Sequence, residues 1–463
     1  MLCLSRHNST EANHEHSRTR AYHAYVHISA GVGFGHESFP HGPLFSTVTP
    51  LDLRPRKSGA VRWSVQLAVY QAILMAYDSS AALKDRFAQA REALVAMFPS
   101  RRRPGKTYQG FIRALRHLPA ALVERVMDHL RACHRRVAKD HWKLWGWVPF
   151  TPDGSRVEIA RTQRNEKAFG RAGRKKTGPQ LALTVLYHLG TALPWNWRIG
   201  AGTEAERGHL RSMLGSLPSG ALLVADAGFT GYDLFAAMLK QGLSFLIRVG
   251  ANVTLLKDLG LEVIRDGDTV WLWPQGKRNH PPLKLRLIRL PGRSRGKGKV
   301  YLLTNVLDRA RLSDQIAGRL YQMRWGVEVF FRSFKQTLAQ RKMRSQAPEQ
   351  ARCELHWALI AYLLLGLISA EALVAEGRDP LQLSVAGALR VVRQSMRTSR
   401  AWRCLGDLRV LLGRAVKDSY QRQSSKKARD WPHKKHESPP GVPRIRTATR
   451  SESARAARIY KAA

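Results

Sequence analysis

The sequence predicts an α/β protein whose core is interrupted late by a β-rich stretch and preceded by a small all-helical module. Three observations predict it. Residues 61–140 repeat apolar positions with a helical period. From about 145, strand-like segments give way to a helix–strand–helix–strand alternation. Residues 250–305 then break that alternation with further short strands.

Residues 1–60 are rich in His, Gly, Pro and Ser without periodicity and read as a poorly fixed arm. His14-Glu15-His16 lacks the helical spacing of a metal motif. The helical module follows as VRWSVQLAVYQAILMAY, SAALKDRFAQAREALVAMF, KTYQGFIRALRHL and PAALVERVMDHLRACHRRV, with a basic hinge at Arg101-Arg102-Arg103-Pro104-Gly105. Its basic face suits DNA, although a solvated face of a packing domain reads the same way. Gly105-Lys106-Thr107 imitates the end of a P-loop, but Ser100 stands where the first Gly belongs and no strand precedes it.

The core is expected over 145–375. WVPFTPDGSRVEI, QLALTVLYHLG and TALPWNWRI read as strands. A helix from Glu204, a strand over 221–225, a helix around 232–241 and a strand over 243–249 follow. TVWLWP, LKLRLIRL and KVYLLTNVL supply the interruption, with a Gly/Lys/Arg loop over 292–299 read as a hairpin tip. A long helical tract over 312–374 closes the core, and 415–463 reads as a basic tail without fixed structure.

Charge narrows the partner. The chain of 463 residues has 77 Lys+Arg against 34 Asp+Glu, a net charge of +43, which calls for a polyanion: nucleic acid or an anionic membrane. The start, MLCLSRHNST, becomes charged too early for a signal peptide. The apolar run Trp357–Ala370 is too short to span a bilayer and reads as a buried core helix. Cys3, Cys133, Cys353 and Cys404 form no C-x-x-C pair, which fits a reducing cytoplasm and neither a disulfide framework nor a zinc site. Nucleic acid, and a cytoplasmic, nucleoid-associated location without membrane contact, are the expectation.

The sharpest local signal is YQMRWGVEVFFRSFK, Tyr321 to Lys335. On one continuous helix, measured from Leu320, Arg324 falls near about 40°, Lys335 near about 60°, Glu328 near about 80° and Tyr321 near about 100°. Leu320, Val327, Phe331, Phe334 and Leu338 gather on the neighbouring stripe and anchor the helix in a core. A carboxylate beside a core and flanked by two cations suits metal and phosphate binding, although an amphipathic helix with i,i+4 ion pairs has the same spacing. A second signal is LLVADAGFTGY, an apolar strand that delivers Asp226 at its carboxyl end, where ligand sites of α/β sheets gather. The third is FTPDGSRVEI, with Asp153 ahead of Gly154, a pair that by itself more often makes a hairpin turn.

Together these stretches resemble the DDE transposases of the insertion-sequence-four family. That family's signature runs Tyr, two residues, Arg, three residues, Glu, six residues, Lys, and Tyr321, Arg324, Glu328 and Lys335 match every position and gap. Asp153-Gly154-Ser155 matches its first D-G-[ST] element, and Asp226 in VADAGF matches its second Asp. LLTNVLD and the Asn165–Phe169–Gly170 segment also look familiar. The resemblance covers about 145–370 and implies a ribonuclease-H-like catalytic core, with 250–305 as the β-rich insertion before the Glu. It also implies an Asp153–Asp226–Glu328 catalytic triad holding two Mg²⁺, with Mn²⁺ able to substitute, and Asp153 bridging both ions. Tyr321, Arg324 and Lys335 would hold DNA phosphates. Water would free a 3′-OH at each transposon end, and that hydroxyl would attack target DNA, with two copies of the chain pairing the ends as a homodimer in a synaptic complex. Trp271, Trp273 and Tyr301 could stack a displaced base, though core packing suits each as well. Two other readings stay open: an inactive DNA-binding regulator, which a metal-dependent nicking assay would expose, and a metal-dependent nuclease without strand transfer.

Overall fold

The structure, a computed structural model, describes residues 63–97, 103–118, 120–172, 178–261, 267–292, 299–397, 408–418 and 440–462. The arm read over 1–60 and most of the 292–299 loop lie outside the described residues.

Among the described residues four helices come first: α1 (Val65–Tyr77), α2 (Leu83–Met97), α3 (Tyr108–Arg116) and α4 (Ala120–Ala138). Side-chain caps fix two of their starts. Ser64 Oγ accepts the Leu67 N–H at 3.2 Å and Thr107 Oγ1 the Gly110 N–H at 3.2 Å. The P-loop-like Gly105-Lys106-Thr107 is therefore a helix cap. The helices do not stand apart as a module. Every residue of α1 from Leu67 to Tyr77 is buried, and a helix that is apolar all round must be enclosed on all sides. Its enclosure is the long helix α10 (Pro348–Ala375) and its neighbours. Tyr77 Oη donates to the Ala361 carbonyl at 2.8 Å, and Gln340 Nε2 to the Ala76 carbonyl at 3.1 Å. The apolar tract Trp357–Ala370 lies inside α10, which is long and apolar enough to cross a membrane. Its most apolar window is 83% buried in this fold, as a core helix requires.

Among the described residues eleven strands form one sheet. In chain order they are β1 (Val148–Glu158), β2 (Arg171–Ala172), β3 (Gly178–His188), β4 (Leu193–Ala201), β5 (Ala221–Ala225), β6 (Ser244–Val249), β7 (Thr254–Lys257), β8 (Thr269–Leu272), β9 (Leu283–Leu290), β10 (Val300–Thr304) and β11 (Arg444–Thr447). Their spatial order is β11-β7-β8-β9-β10-β6-β5-β1-β3-β2, with β4 also on β3. β1, β3 and β4 form an antiparallel meander, whereas β5 lies parallel to both β1 and β6. Buried at all five residues, β5 has the continuous apolar character of a covered parallel strand. Asp153-Gly154 is not a hairpin turn: it lies within β1, opposite Val185 and Thr184. The helices between strands are α5 (Gln163–Phe169), α6 (Glu206–Met213) and α7 (Tyr232–Lys240). After β10 come α8 (Asp314–Met323), α9 (Gly326–Arg332), α10, α11 (Val385–Arg397) and α12 (Leu408–Gly413), and α13 (Arg450–Ala462) follows β11.

Strands β7–β10 continue the same sheet through the β10–β6 pairing. Trp271 and Trp273 are fully buried within it, and Trp273 Nε1 donates to the Lys277 and His280 carbonyls, so neither ring is free to stack a base. The reading of 415–463 as a tail without fixed structure fails over 440–462. There β11 adds to β7 in parallel, and α13 buries Ala456 against the cluster that holds Trp271. Glu452 binds Arg446 and Arg278 at 2.6 Å each, tying the segment down.

Candidate active site

Two aspartates meet through strand register. β1 and β5 are parallel, with Phe150 level with Leu223. The same step continued three residues brings Asp153 level with Asp226, just past the carboxyl end of β5. Asp226 caps the short turn over Ala227–Phe229, its Oδ1 accepting the Gly228 N–H at 2.9 Å. Asp153 Oδ1 accepts the Gly154 N–H at 2.9 Å.

Glu328 comes from α9. The apolar stripe forms as expected: Leu320, Val327, Phe331, Phe334 and Leu338 are all buried. The single continuous helix does not. α8 ends at Met323, and bonds of the tighter 3₁₀ type, Val327 N–H to Arg324 O and Glu328 N–H to Trp325 O, carry the chain into α9. Beyond Arg332 the helix widens into a π-turn over Ser333–Thr337 that contains Lys335. Arg324 still reaches Glu328, Nη2 to Oε1 at 3.1 Å, and its guanidinium lies 5.8 Å from the centre of the Tyr321 ring. Lys335 instead crosses to β1 and donates from Nζ to Ser155 Oγ at 2.6 Å. Alternate strand residues share a face, so Lys335 lies on the same side of β1 as Asp153. Arg332 is exposed.

The electrostatics follow from this crowding. Burial pushes the Asp153 carboxyl up to about 7; its Gly154 N–H bond opposes the rise, nearby Asp226 adds to it, Arg324 opposes it and Glu206 adds to it. Burial works against the charge of Arg324, but Tyr321, Asp226 and Glu328 outweigh it and hold its pKa above the ordinary value. Burial and nearby Arg341 lower the Lys335 ammonium, against the pull of Glu158 and Asp153.

Sequence reading missed Glu206. It opens α6 on the opposite face of β1, over Gly154: a Cβ at position 154 would fall 2.1 Å from the Glu206 carboxyl carbon. Arg156, on that same face, lies 3.9 Å from it. Burial, set against Arg156 and reinforced by Asp226, raises the Glu206 carboxyl above its ordinary value. The only sequence signal was an acid in the first turn of a helix, which is commonplace.

Among the described residues no three His, Cys, Asp or Glu side chains converge closely enough to enclose a metal. Glu328 is held by Arg324 and Glu206 faces the other side of β1. The donor chemistry still fits a hard divalent cation. Asp153 and Asp226 offer carboxylate oxygens whose mutual repulsion such an ion would relieve.

The sequence profile described as "Transposase DDE domain" matches residues 152–364, a span that contains all six residues of the expected site. The transposase InsG of insertion sequence element IS4 from Escherichia coli is 26% identical over 354 residues, covering 73% of this chain and 77% of the relative. The Sinorhizobium fredii protein y4zB, named as a transposase, is 32% identical over 165 residues, 32% of this chain and 43% of its own length. Among solved structures, the cryo-EM synaptic complex of piggyBac transposase with hairpin DNA matches at 14% identity and a TM-score of 0.38, covering 88% of this chain and 87% of that one. The profile and the long match to InsG agree with the Tyr-Arg-Glu-Lys signature in likening the chain to the DDE transposases of the insertion-sequence-four type.

Proposed function

We propose that this chain is a cut-and-paste DNA transposase that cleaves transposon ends and joins the freed 3′ ends to target DNA. Asp153, Asp226 and Glu328 would hold two Mg²⁺ ions, or Mn²⁺ in their place. The observation that carries this reading is that Asp153 on β1 lies near Asp226, which follows the adjacent parallel strand β5, with the Glu328–Arg324 pair presented on α9. The meander β1–β3–β4 with parallel β5 and β6 supports a ribonuclease-H-like core, and β7–β10 then form its insertion.

A bound pair of divalent ions supplies positive charge that activates the attacking oxygen and stabilises the leaving one in an in-line displacement. The protein's own groups do the rest. Bound cations would offset the burial, and the neighbouring Asp226, that raise the Asp153 carboxyl, so that Asp153 would hold them as a carboxylate. Glu328 would supply the third carboxylate of the donor set, and the Arg324 guanidinium beside it would grip a non-bridging phosphate oxygen, with the Tyr321 hydroxyl donating next to it. Lys335, near Asp153, neutralises the adjoining phosphate. In the first step water oxygen bonds to phosphorus, the bond to the departing 3′ oxygen breaks, one proton ends on that oxygen to give the 3′ hydroxyl, and the other passes to solvent. In the second that 3′ hydroxyl attacks a target phosphate, the bond to the target's own 3′ oxygen breaks and that oxygen takes up the proton the attacker loses, exchanging one phosphodiester for another without an outside energy source. Duplex ends paired by two copies of the chain, in a cytoplasmic, nucleoid-associated setting, complete the reading.

The test is to incubate purified protein with duplexes carrying its element's ends and a target plasmid, with and without Mg²⁺. The expected result is metal-dependent nicking at the end and a covalent end–target joint. Nicking without a joint leaves a nuclease. DNA binding without nicking, in metal, leaves a regulator.

A further inference from the structure

We infer that the hollow between α2, α3 and the segment leading into α10 seats DNA backbone well inside the cleaved end, a deepening that rests on the transposase reading above. The hollow has a volume of 770 Å³, and its lining holds five basic side chains, Lys84, Arg113, Arg116, His117 and Arg344, with no Asp or Glu. All five are exposed. Among the described residues Lys84, Arg113, Arg116 and Arg344 form no ion pair, although elsewhere on this chain exposed arginines such as Arg161 and Arg341 find carboxylates. Like charges drawn from three elements onto one concave surface repel one another, and an external polyanion relieves the repulsion. The remaining polar lining is neutral: Gln109 and Gln350 offer amides of the kind that bond phosphate and sugar oxygens.

The fold also sets the distance from the cleavage point. Lys342 forms a parallel bridge with Glu158, and the Met343 N–H donates to the Glu158 carbonyl at 2.8 Å, so the segment carrying Arg344 is laced to the far end of β1. From Asp153 to Glu158 is five residues, about 17 Å at the rise of a strand. With the duplex laid along β1, a rise of about 3.4 Å per base pair puts this surface about five base pairs from a backbone cleaved at Asp153. The hollow thus grips the subterminal backbone and is indifferent to base identity.

The experiment compares wild type with the triple substitution Arg113→Gln, Arg116→Gln, Arg344→Gln. A control triple, Arg211→Gln, Lys240→Gln, Arg390→Gln, removes the same charge elsewhere. Fluorescence anisotropy with an end duplex over a salt series gives the slope of log affinity against log salt, and phosphate-ethylation interference maps the contacts. The hollow's triple should lower the slope by about two to three and erase interference about five base pairs from the cleavage point, while the control keeps both. An unchanged slope and footprint in the hollow's triple, shown folded by circular dichroism, overturns the assignment. An equal loss in the control also overturns it, because bulk charge then explains the effect. Wild-type protein that binds no duplex instead removes the transposase reading, so the two failures are distinguishable.

Discussion

Two carboxylates, one beside the β11 edge of the sheet and one in β1, show how one chain treats buried charge in two ways. Beside β11, Glu452 accepts from Arg446 through both oxygens, at 2.6 and 2.7 Å, from Arg278 at 2.6 Å and from the Thr449 N–H at 2.9 Å. The hydrogen bonds of Arg446 above all hold its carboxyl down to about 2. In β1, Asp153 accepts one backbone N–H and faces other carboxylates. A carboxylate fully matched by cations fastens a structure. One left unmatched in a crowded site stores repulsion that a ligand can release, and that is where chemistry is to be sought.

The comparison is broken most severely by removing the unmatched charge. Asp153→Asn or Asp226→Asn should lower end cleavage by at least about a thousandfold, some 4 kcal/mol of barrier, with DNA binding nearly intact. A gel assay at saturating Mg²⁺ reads it, and cleavage at the wild-type rate would remove that residue from the site. Glu452→Ala should do the reverse. It strands the Arg278 guanidinium, whose side chain is only 9% exposed, and should cost about 3 kcal/mol in a urea titration while leaving end cleavage untouched.

The pH dependence of stability sharpens the contrast, because the two groups have opposite signs. Folded Asp153 holds its proton up to about 7 against 3.8 when unfolded, so without metal its ionisation destabilises the fold progressively as pH rises between those values. Asp153→Asn should therefore melt above wild type at pH 8 in chelator, and added Mg²⁺ should narrow that gap by stabilising wild type alone. Glu452 titrates at about 2 against 4.5 unfolded, so its contribution is full above pH 4.5 and disappears as pH falls toward 2. Glu452→Gln should accordingly lose its deficit relative to wild type in acid. Parallel melting curves for the two variants across pH would dissolve the distinction. The smallest expected effect is at the helix. Exposed Arg332→Ala should stay within about 0.5 kcal/mol of wild type in stability and spare cleavage, whereas Lys335→Ala, which loses Ser155, should weaken cleavage.

The candidate site was legible in the sequence where its geometry is local. Tyr321, Arg324, Glu328 and Lys335 sit at fixed spacings, and Asp226 ends an apolar strand that announces itself. What spacing could not disclose was the path of the backbone: the tight turn after Met323 and the π-turn around Lys335 leave no mark in apolar periodicity. Glu206 was hidden because it approaches Asp153 across a strand, an encounter that depends on how α6 packs. The all-round apolar character of α1 was visible and, read as a demand for enclosure, would have argued against a separate helical module. The C-terminal strand was lost for a different reason. RIRT is too short and too basic to register as a strand without the partner it joins.

That partner is distant. β7 pairs with a strand about 190 residues later in the chain, a separation that makes completion of this sheet slow on topological grounds. During synthesis β8 covers one side of β7, while the other side, with Leu255 and Leu256, waits as an open edge until residue 444 has been made. Open apolar edges are where nascent chains join each other by mistake. The yield of competent protein would then be set by a race between the arrival of a late four-residue strand and collisions among unfinished copies. Raising expression shifts that race toward collisions, so the amount of active protein would rise less than the amount of chain.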